Sequence, residues 1–550
     1  MYVTSSFQKY LFGFIFLLVI QTTMYSQTEE QWFFFRAKDT LFNPQFDTTE
    51  AYLTYTGNDK RLRKVLEGYK ISAFKKTYRG AKKEDLKKTF FVIADRADLL
   101  NDILRKARHL FEFGELVREE DKKIFEPNDY GLSSTIGENI GLPVDLTYLD
   151  DINMPKAWYY TTGSPDIKIG ISDGYVDTSY VDFKGKTKMF KRAPVANGHG
   201  YNSAANAAAQ GNNGAGTVGV CYDCGMYSTT YGAFKNLKIL LDLSNAGAKV
   251  INCSWLNETY YETAQAAIDE MYDNGTIIVA AAGNKNWGEV KDNRIGYPAS
   301  YDKVISVSVG YFRNKEYKDV IGKSENGSYY AQNVYGFVGR SLGFKNNDTT
   351  VTPHIWHVST STFNEHVDIL APSTGQFILS EYLLHGGQLN YHEYSTTSGA
   401  TPFVAGTVGL MFSLYPCLPL DEVESILKLA SVNIDHIEAN KVFEGTYGSG
   451  LLDTGGTIEL LYKLYSEDEI ATLQGQHFSR WNFNLTAFSK EVVLTNQKFT
   501  GESTLDLVAK NSIVISKNTV LKPNSKGEIK LRIDPTLQKS CELRLRQPRE

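Results

Sequence analysis

From Phe403 to Leu414 the chain runs almost without interruption through apolar and small side chains, and a helix built from them has no polar face. Such a helix must be covered on every side, so the fold has to wrap it. Immediately before it stand Thr396, Thr397, Ser398, Gly399, Ala400, Thr401 and Pro402. A serine at the start of a helix sits beside unpaired N–H groups and the positive end of the dipole, which favour a developing oxyanion. Gly399 and Ala400 leave room for a substrate backbone. Taken alone the segment has a plainer reading, a Ser or Thr that merely caps the helix.

A nucleophilic serine needs a base and an orienting group, and upstream segments offer both. His199 lies between Gly198 and Gly200 at the start of an Ala-rich run to Gln210 that reads as a tightly packed helix. Further upstream, Ile167 to Ser172 alternates like a strand and ends at Asp173. In a parallel sheet that carboxyl end is where active-site groups collect. A fourth element, Thr276 to Ala282, reads as a buried strand delivering Gly283 and Asn284. Each has an ordinary alternative: His199 a cap or surface residue, Asp173 a turn former, Asn284 a loop residue ending a strand.

Together these segments resemble the subtilisin-like serine proteases. Asp173 matches the strand-end aspartate of that family, His199 the histidine of its His-Gly-Thr-His motif, and Ser398 the serine of Gly-Thr-Ser-x-Ala-x-Pro. The resemblance implies a triad of Asp173, His199 and Ser398, with Asn284 as the side-chain donor of an oxyanion hole. Lys249 to Ser254 is similar to the strand whose continuation pairs with substrate, which makes Ser254, Trp255 and Leu256 the candidate substrate-binding residues. Val367 to Pro372 and Tyr447 to Asp453 resemble the strand before the serine segment and the closing Gly-x-Gly motif, so the similarity spans roughly Leu149 to Leu461.

The departures fall close to these positions. Asp173-Gly174-Tyr175 stands where the family has Asp-Thr-Gly or Asp-Ser-Gly, and Asn202 replaces the second histidine of the motif. After Ser254, Trp255-Leu256-Asn257 replaces the usual small residues that wall the pocket for the residue before the scissile bond, so the family's specificity does not transfer. By resemblance, Asp182 matches a position that binds structural calcium in many members, with Gly211 to Gly214 similar to part of the loop completing that site. The chemistry itself calls for no cofactor. Among His354, His357 and His366, no Cys or carboxylate falls at ligand spacing beside the pair His354 and His357, and the three do not read as a metal site.

At 550 residues with a formal net charge of −5, the chain exceeds one usual domain, and no basic footprint for nucleic acid is present. Residues 1–27, with an apolar run from Leu11 to Ile20, read as a secretion signal too short to span a bilayer. Residues 28–121 mix strand-like pieces (Ala51 to Thr56, Thr89 to Ala94) with a helical pattern from Leu99 to Phe111, an α+β segment that resembles a propeptide acting as an intramolecular inhibitor. Residues 122–465 form the peptidase-like α/β domain, expected as three layers around a mostly parallel sheet, with an insertion from Val309 to Asn364. Residues 466–550 read as a small β domain of short alternating runs. Of five cysteines at least one is unpaired; Cys221 and Cys224 are either a local disulfide or two core thiols, and Cys253 reads as a core residue. The expectation is a secreted serine endopeptidase acting on proteins or peptides, without a membrane anchor in the mature chain. The alternative is a catalytically silent protein that binds peptides in the same groove.

Overall fold

The computed structural model describes residues 30–546 except 50–51, 79–80, 82, 137–138, 194–197, 285–292, 324–326, 332, 339–340, 351–354, 359–360 and 393–395. The signal-peptide expectation at 1–27 and His354 lie outside the described residues. Two compact units part between Lys122 and Lys123.

In the first unit, strand Gln31–Ala37 is central in a four-stranded antiparallel sheet with Ile71–Lys76, Thr89–Ala94 and Phe111–Leu116. Its alternation puts Phe33, Phe35 and Ala37 inside, where they meet Phe90, Val92 and Phe111 and the buried residues of helices Lys60–Leu66 and Leu99–Lys106. The Asp59 carboxylate caps the first helix by accepting the Leu62 N–H at 2.8 Å. The helical pattern read from Leu99 to Phe111 stops at Lys106, because Phe111 is needed as a buried residue of the edge strand.

The second unit is built on seven strands: β1 (Lys168–Ser172), β2 (Thr187–Met189), β3 (Gly225–Thr229), β4 (Ala248–Cys253), β5 (Ile277–Ala281), β6 (Val304–Val309) and β7 (Ile369–Ala371). They lie in the order β7-β6-β5-β4-β1-β3-β2, and every neighbouring pair is parallel. Because both faces are covered, the strands read as continuous apolar runs rather than alternating ones. On one face Ile169, Val250, Val279 and Val307 pack with helices α1 (His199–Ala208) and α2 (Thr397–Leu414). On the other, Ile251, Cys253, Ile278 and Ala280 pack with Leu240, Leu243, Ile268 and Met271 of helices Lys238–Asn245 and Glu262–Asp273. This is the three-layer α/β arrangement expected, with α2 buried from Ala400 to Leu414 as its composition requires. The insertion after β6 carries an antiparallel sheet of Ile321–Lys323, Tyr329–Ala331, Ser341–Phe344 and Ile355–Val358.

The C-terminal region is a winding of parallel strands rather than hairpins. Ile470–Gln474, Glu491–Thr495 and Ile513–Ile515 form one three-stranded parallel sheet; His477–Phe478, Lys498–Gly501 and Val520–Pro523 a second; Asn482–Ala487, Thr504–Ala509 and Ile529–Ile533 a third. Pairing of Ile470 with Glu491 and of Val492 with Ile513 defines a turn of about 21 residues, the signature of a solenoid. Its interior is filled by Leu473, Phe478, Phe483, Leu494, Phe499 and Leu507. Disulfide Cys417–Cys541 ties the tail after the solenoid to the chain just beyond α2, Cys221 and Cys224 form a local disulfide, and Cys253 is free and buried. Among the described residues no helix is long and apolar enough to cross a membrane.

Candidate active site

β1 ends one residue before Asp173, whose N–H still bonds Thr229 O at 3.1 Å, so the ladder itself fixes where the carboxylate begins. Asp173 is fully buried. Its Oδ1 lies 2.6 Å from His199 Nδ1 and also accepts the Gly174 N–H, while Oδ2 accepts the Ser203 hydroxyl at 2.7 Å. A carboxylate only accepts, so Nδ1 carries the hydrogen and Nε2 is left as the basic nitrogen. Burial pushes the His199 imidazolium toward losing its proton, but the bond to Asp173 and its charge outweigh this, and the net shift is upward from the ordinary histidine value. Gly200 permits the approach: a β-carbon there would sit 2.3 Å from Gly174 O. Asn202 is used structurally, its amide exchanging bonds with the Ser380 hydroxyl and N–H at 3.2 and 3.0 Å.

Ser398 stands in the first turn of α2, behind the cap residue Thr396, whose hydroxyl accepts the Gly399 N–H at 3.2 Å. Its own hydroxyl is half-buried and donates to Ser254 O at 3.1 Å. Four residues on, Pro402 has no N–H to offer, so the Ser398 carbonyl loses its helical partner. The Ser254 hydroxyl supplies one at 2.9 Å and in turn accepts from Asn252 Nδ2 at 3.0 Å. Thus the end of β4 grips the start of α2.

The end of β5 does the same. Asn284 Oδ1 accepts the Thr397 N–H at 2.9 Å and the Thr397 hydroxyl at 3.1 Å, and Thr397 Oγ1 accepts the Gly283 N–H at 3.2 Å. With its oxygen held, the amide presents its NH2 as the remaining donor. Three strand ends and two helix starts therefore converge, carrying a serine, an imidazole on a buried carboxylate, and an amide donor. Residues 149–450 match the sequence profile of the subtilase family.

The chain belongs to the subtilase family. Among subtilases, it is 25% identical over 300 residues to subtilisin DY of Bacillus licheniformis, covering 52% of this chain and 89% of that one. Thermitase of Thermoactinomyces vulgaris is 28% identical over 278 residues, 48% of this chain and 80% of that enzyme. A calcium-dependent protease of Trichormus variabilis is 26% identical over 385 residues, covering 63% of this chain and 53% of that protein. The protein is accordingly a subtilisin-like serine protease.

Within this subtilase the substrate-facing candidates behave differently from one another. Ser254 holds Ser398, as described. The Trp255 indole turns into the sheet, donating to Ser172 O at 3.0 Å and packing on Phe234, so its side chain is spent on structure. Leu256 stays exposed. Residues not legible as site members also matter: Ser203, one turn along α1 from His199, and Gln376, whose Nε2 donates to Pro372 O at 2.9 Å and Gly399 O at 3.0 Å while its Oε1 accepts from Asn206 of α1 at 3.3 Å. Only the i,i+4 spacing of Ser203 from His199 gave a signal.

The calcium expectation at Asp182 meets an obstacle in this subtilase. Asp182 Oδ1 accepts from Asn213 Nδ2 at 3.1 Å and Oδ2 from the Thr217 N–H at 2.8 Å. The neighbouring Asp129 carboxylate accepts the Asn212 and Asn213 N–H groups at 2.8 and 3.0 Å. Calcium is caged by oxygens, whereas the loop here turns N–H hydrogens toward both carboxylates, so these residues do not fit the ion. Burial pushes Asp182 up to about 7, the Thr217 and Asn213 bonds opposing it. Among the described residues no group of three or more His, Cys, Asp or Glu is arranged to hold a metal.

Proposed function

We propose that this protease is an exported endopeptidase made as a precursor and that Asp173, His199 and Ser398 carry its chemistry. The observation that bears most weight is the 2.6 Å bond between His199 Nδ1 and a carboxylate with no exposure to solvent. A group so placed keeps the basic Nε2 in one tautomer and favours the imidazolium that proton uptake creates. The Ser398 hydroxyl turns from Ser254 O and gives its proton to Nε2 as its oxygen attacks a peptide carbonyl. The oxyanion is received by the Ser398 N–H and the Asn284 amide. His199 then protonates the leaving amine, and water repeats the sequence to release the acyl group.

The precursor reading is supported by the first unit having its own core and by the division between Lys122 and Lys123, next to the end of the propeptide-like segment at residue 121. Intact-mass measurement of purified wild type and Ser398→Ala tests it. Wild type is expected to lose roughly the first 120 residues, a segment of propeptide length, and the serine variant only the signal. Identical N-termini in the two would contradict self-processing, and equal peptide hydrolysis by both would contradict the enzyme reading in favour of a silent binder.

A further inference from the structure

The solenoid stacks its strands three deep, and the last coil is left open. In register, Leu494 pairs with Ile515 and Ala509 with Ile533. Leu494 and Ala509 are fully buried, whereas Ile515 and Ile533 are each 54% exposed. Their strands turn both isoleucines toward the core, so what they lack is a further coil to cover them. Val514 and Val520 add exposed apolar surface to the same coil. The backbone is open there as well, since Ile513–Ile515, Val520–Pro523 and Ile529–Ile533 are each the last strand of its sheet. An unpaired strand edge is a template for another strand. The chain after Asp534 does not supply one. It turns back to the peptidase, where Cys541 is bonded to Cys417, Arg544 N donates to Leu414 O at 2.8 Å and Arg546 N to Tyr160 O at 2.7 Å.

Charge distinguishes the possible occupants. Residues 511–534 contain five Lys or Arg and two acidic residues, a formal +3 in a chain of net −5, while the two coils beneath, residues 470–510, amount to +1. Lys526 and Arg532 reach down to Glu502 and Asp506 at 2.7 and 2.6 Å, and Lys530 is matched by Glu528 of its own coil. Lys517 and Lys522 are exposed and have no ion pair among the described residues. Two such ends brought face to face would set cation against cation, and lysines on an edge are a known way of refusing a second copy. A strand carrying carboxylates at its outward positions meets the same lysines with attraction.

We propose that the open end of the solenoid is a docking surface for an acidic segment of another protein, which adds extended strands with apolar side chains inward and carboxylates outward. Backbone pairing supplies the attachment, Ile515 and Ile533 the apolar area to be buried, and Lys517 and Lys522 the choice of partner.

The probe is a fluorescein-labelled peptide of residues 511–534 in which the five Lys and Arg are replaced by Glu. The unaltered peptide, which imitates a second copy, is the control. Binding is read by fluorescence anisotropy with full-length Ser398→Ala, a variant chosen to spare both peptides from cleavage. The acidic probe is expected to bind at least about tenfold more tightly than the control, and to weaken as salt is raised. Combining Ile515→Asp with Ile533→Asp, both at exposed positions, should weaken it by about tenfold or more. Lys517→Glu with Lys522→Glu leaves the apolar face intact and should reverse the preference between the two peptides; melting curves identify the variants that remain folded. No binding of the acidic probe, equal binding of both peptides, or binding unaltered in either folded variant overturns the proposal. Tighter binding of the control overturns it too, and gives the open end to a second copy of this chain.

Discussion

The central sheet and the C-terminal solenoid use the same parallel ladder, yet the candidate catalytic side chains gather at the edge of the sheet. In the sheet, each parallel pair is joined by a long crossover, so strand ends β1, β4 and β5 lie side by side and release Asp173, Ser254 and Asn284 toward the starts of α1 and α2. In the solenoid the chain passes from strand to strand through short turns and returns to the same position after about 21 residues. Its strands end against their own next turn, as where the Gly475 N–H bonds Asn496 O at 3.2 Å. The candidate site is thus made by the connections, not by the ladder.

The largest test of that contrast is to break the site and the solenoid separately. Ser398→Ala or His199→Ala should lower kcat on a peptide substrate by about 10⁴-fold or more while the melting temperature stays within a few degrees. Leu507→Ala, inside the solenoid, should do the reverse. Next in size, Asn284→Ala should reduce kcat by about 10²–10³-fold with KM little changed, since its contact forms mainly as the oxyanion does. An effect confined to KM would remove Asn284 from the oxyanion role.

For the solenoid, Leu507 is fully buried and stacks in register on Leu485 and Leu531. Its truncation to Ala should cost about 2–5 kcal/mol of unfolding free energy, read by denaturant titration, with kcat/KM unchanged in the folded fraction. A loss of turnover in fully folded Leu507→Ala would show that the two regions are coupled. The smallest expected effect is a pH shift. Because His199 is raised above its ordinary value, kcat/KM should climb with pH through a midpoint above 6.5 as Nε2 becomes free. The matching stability contribution is complete below about 6.5 and is lost as pH rises through the folded value. In Asp173→Asn the raising partner is gone, burial prevails, and the midpoint should move downward.

The two regions also differed in how much their letters disclosed. Asp173, His199, Asn284 and Ser398 were legible because each stands at the end of an apolar strand or the start of a small-residue helix, where a polar residue is conspicuous. The web that holds them was not. Gln376 bridges α1 and α2, but its partner Asn206 lies 170 residues earlier, and no local pattern announces such a pairing. The partnership of Ser254 with the Ser398 carbonyl follows from the missing N–H of Pro402, yet only the fold brings those positions together. At Asp182 the ion depends on whether the Asn212 to Thr217 loop turns carbonyls or N–H groups toward the carboxylate, which side-chain identity does not encode. The solenoid read only as short alternating runs, since its repeat matches position but not residue: Val492 lies under Ile513, and Phe499 under Leu521.

The central claim is that Ser398 is a nucleophile activated by His199 on Asp173. Labelling with a fluorophosphonate, followed by intact mass and peptide mapping, tests it most directly, because the reagent reports on serine activation without a chosen substrate. The account predicts one adduct, on Ser398, absent in Ser398→Ala and formed at least about 10²-fold more slowly in His199→Ala, the minimum worth of a positioned general base. No adduct on the folded wild type, or a rate unaffected by removal of His199, would contradict it.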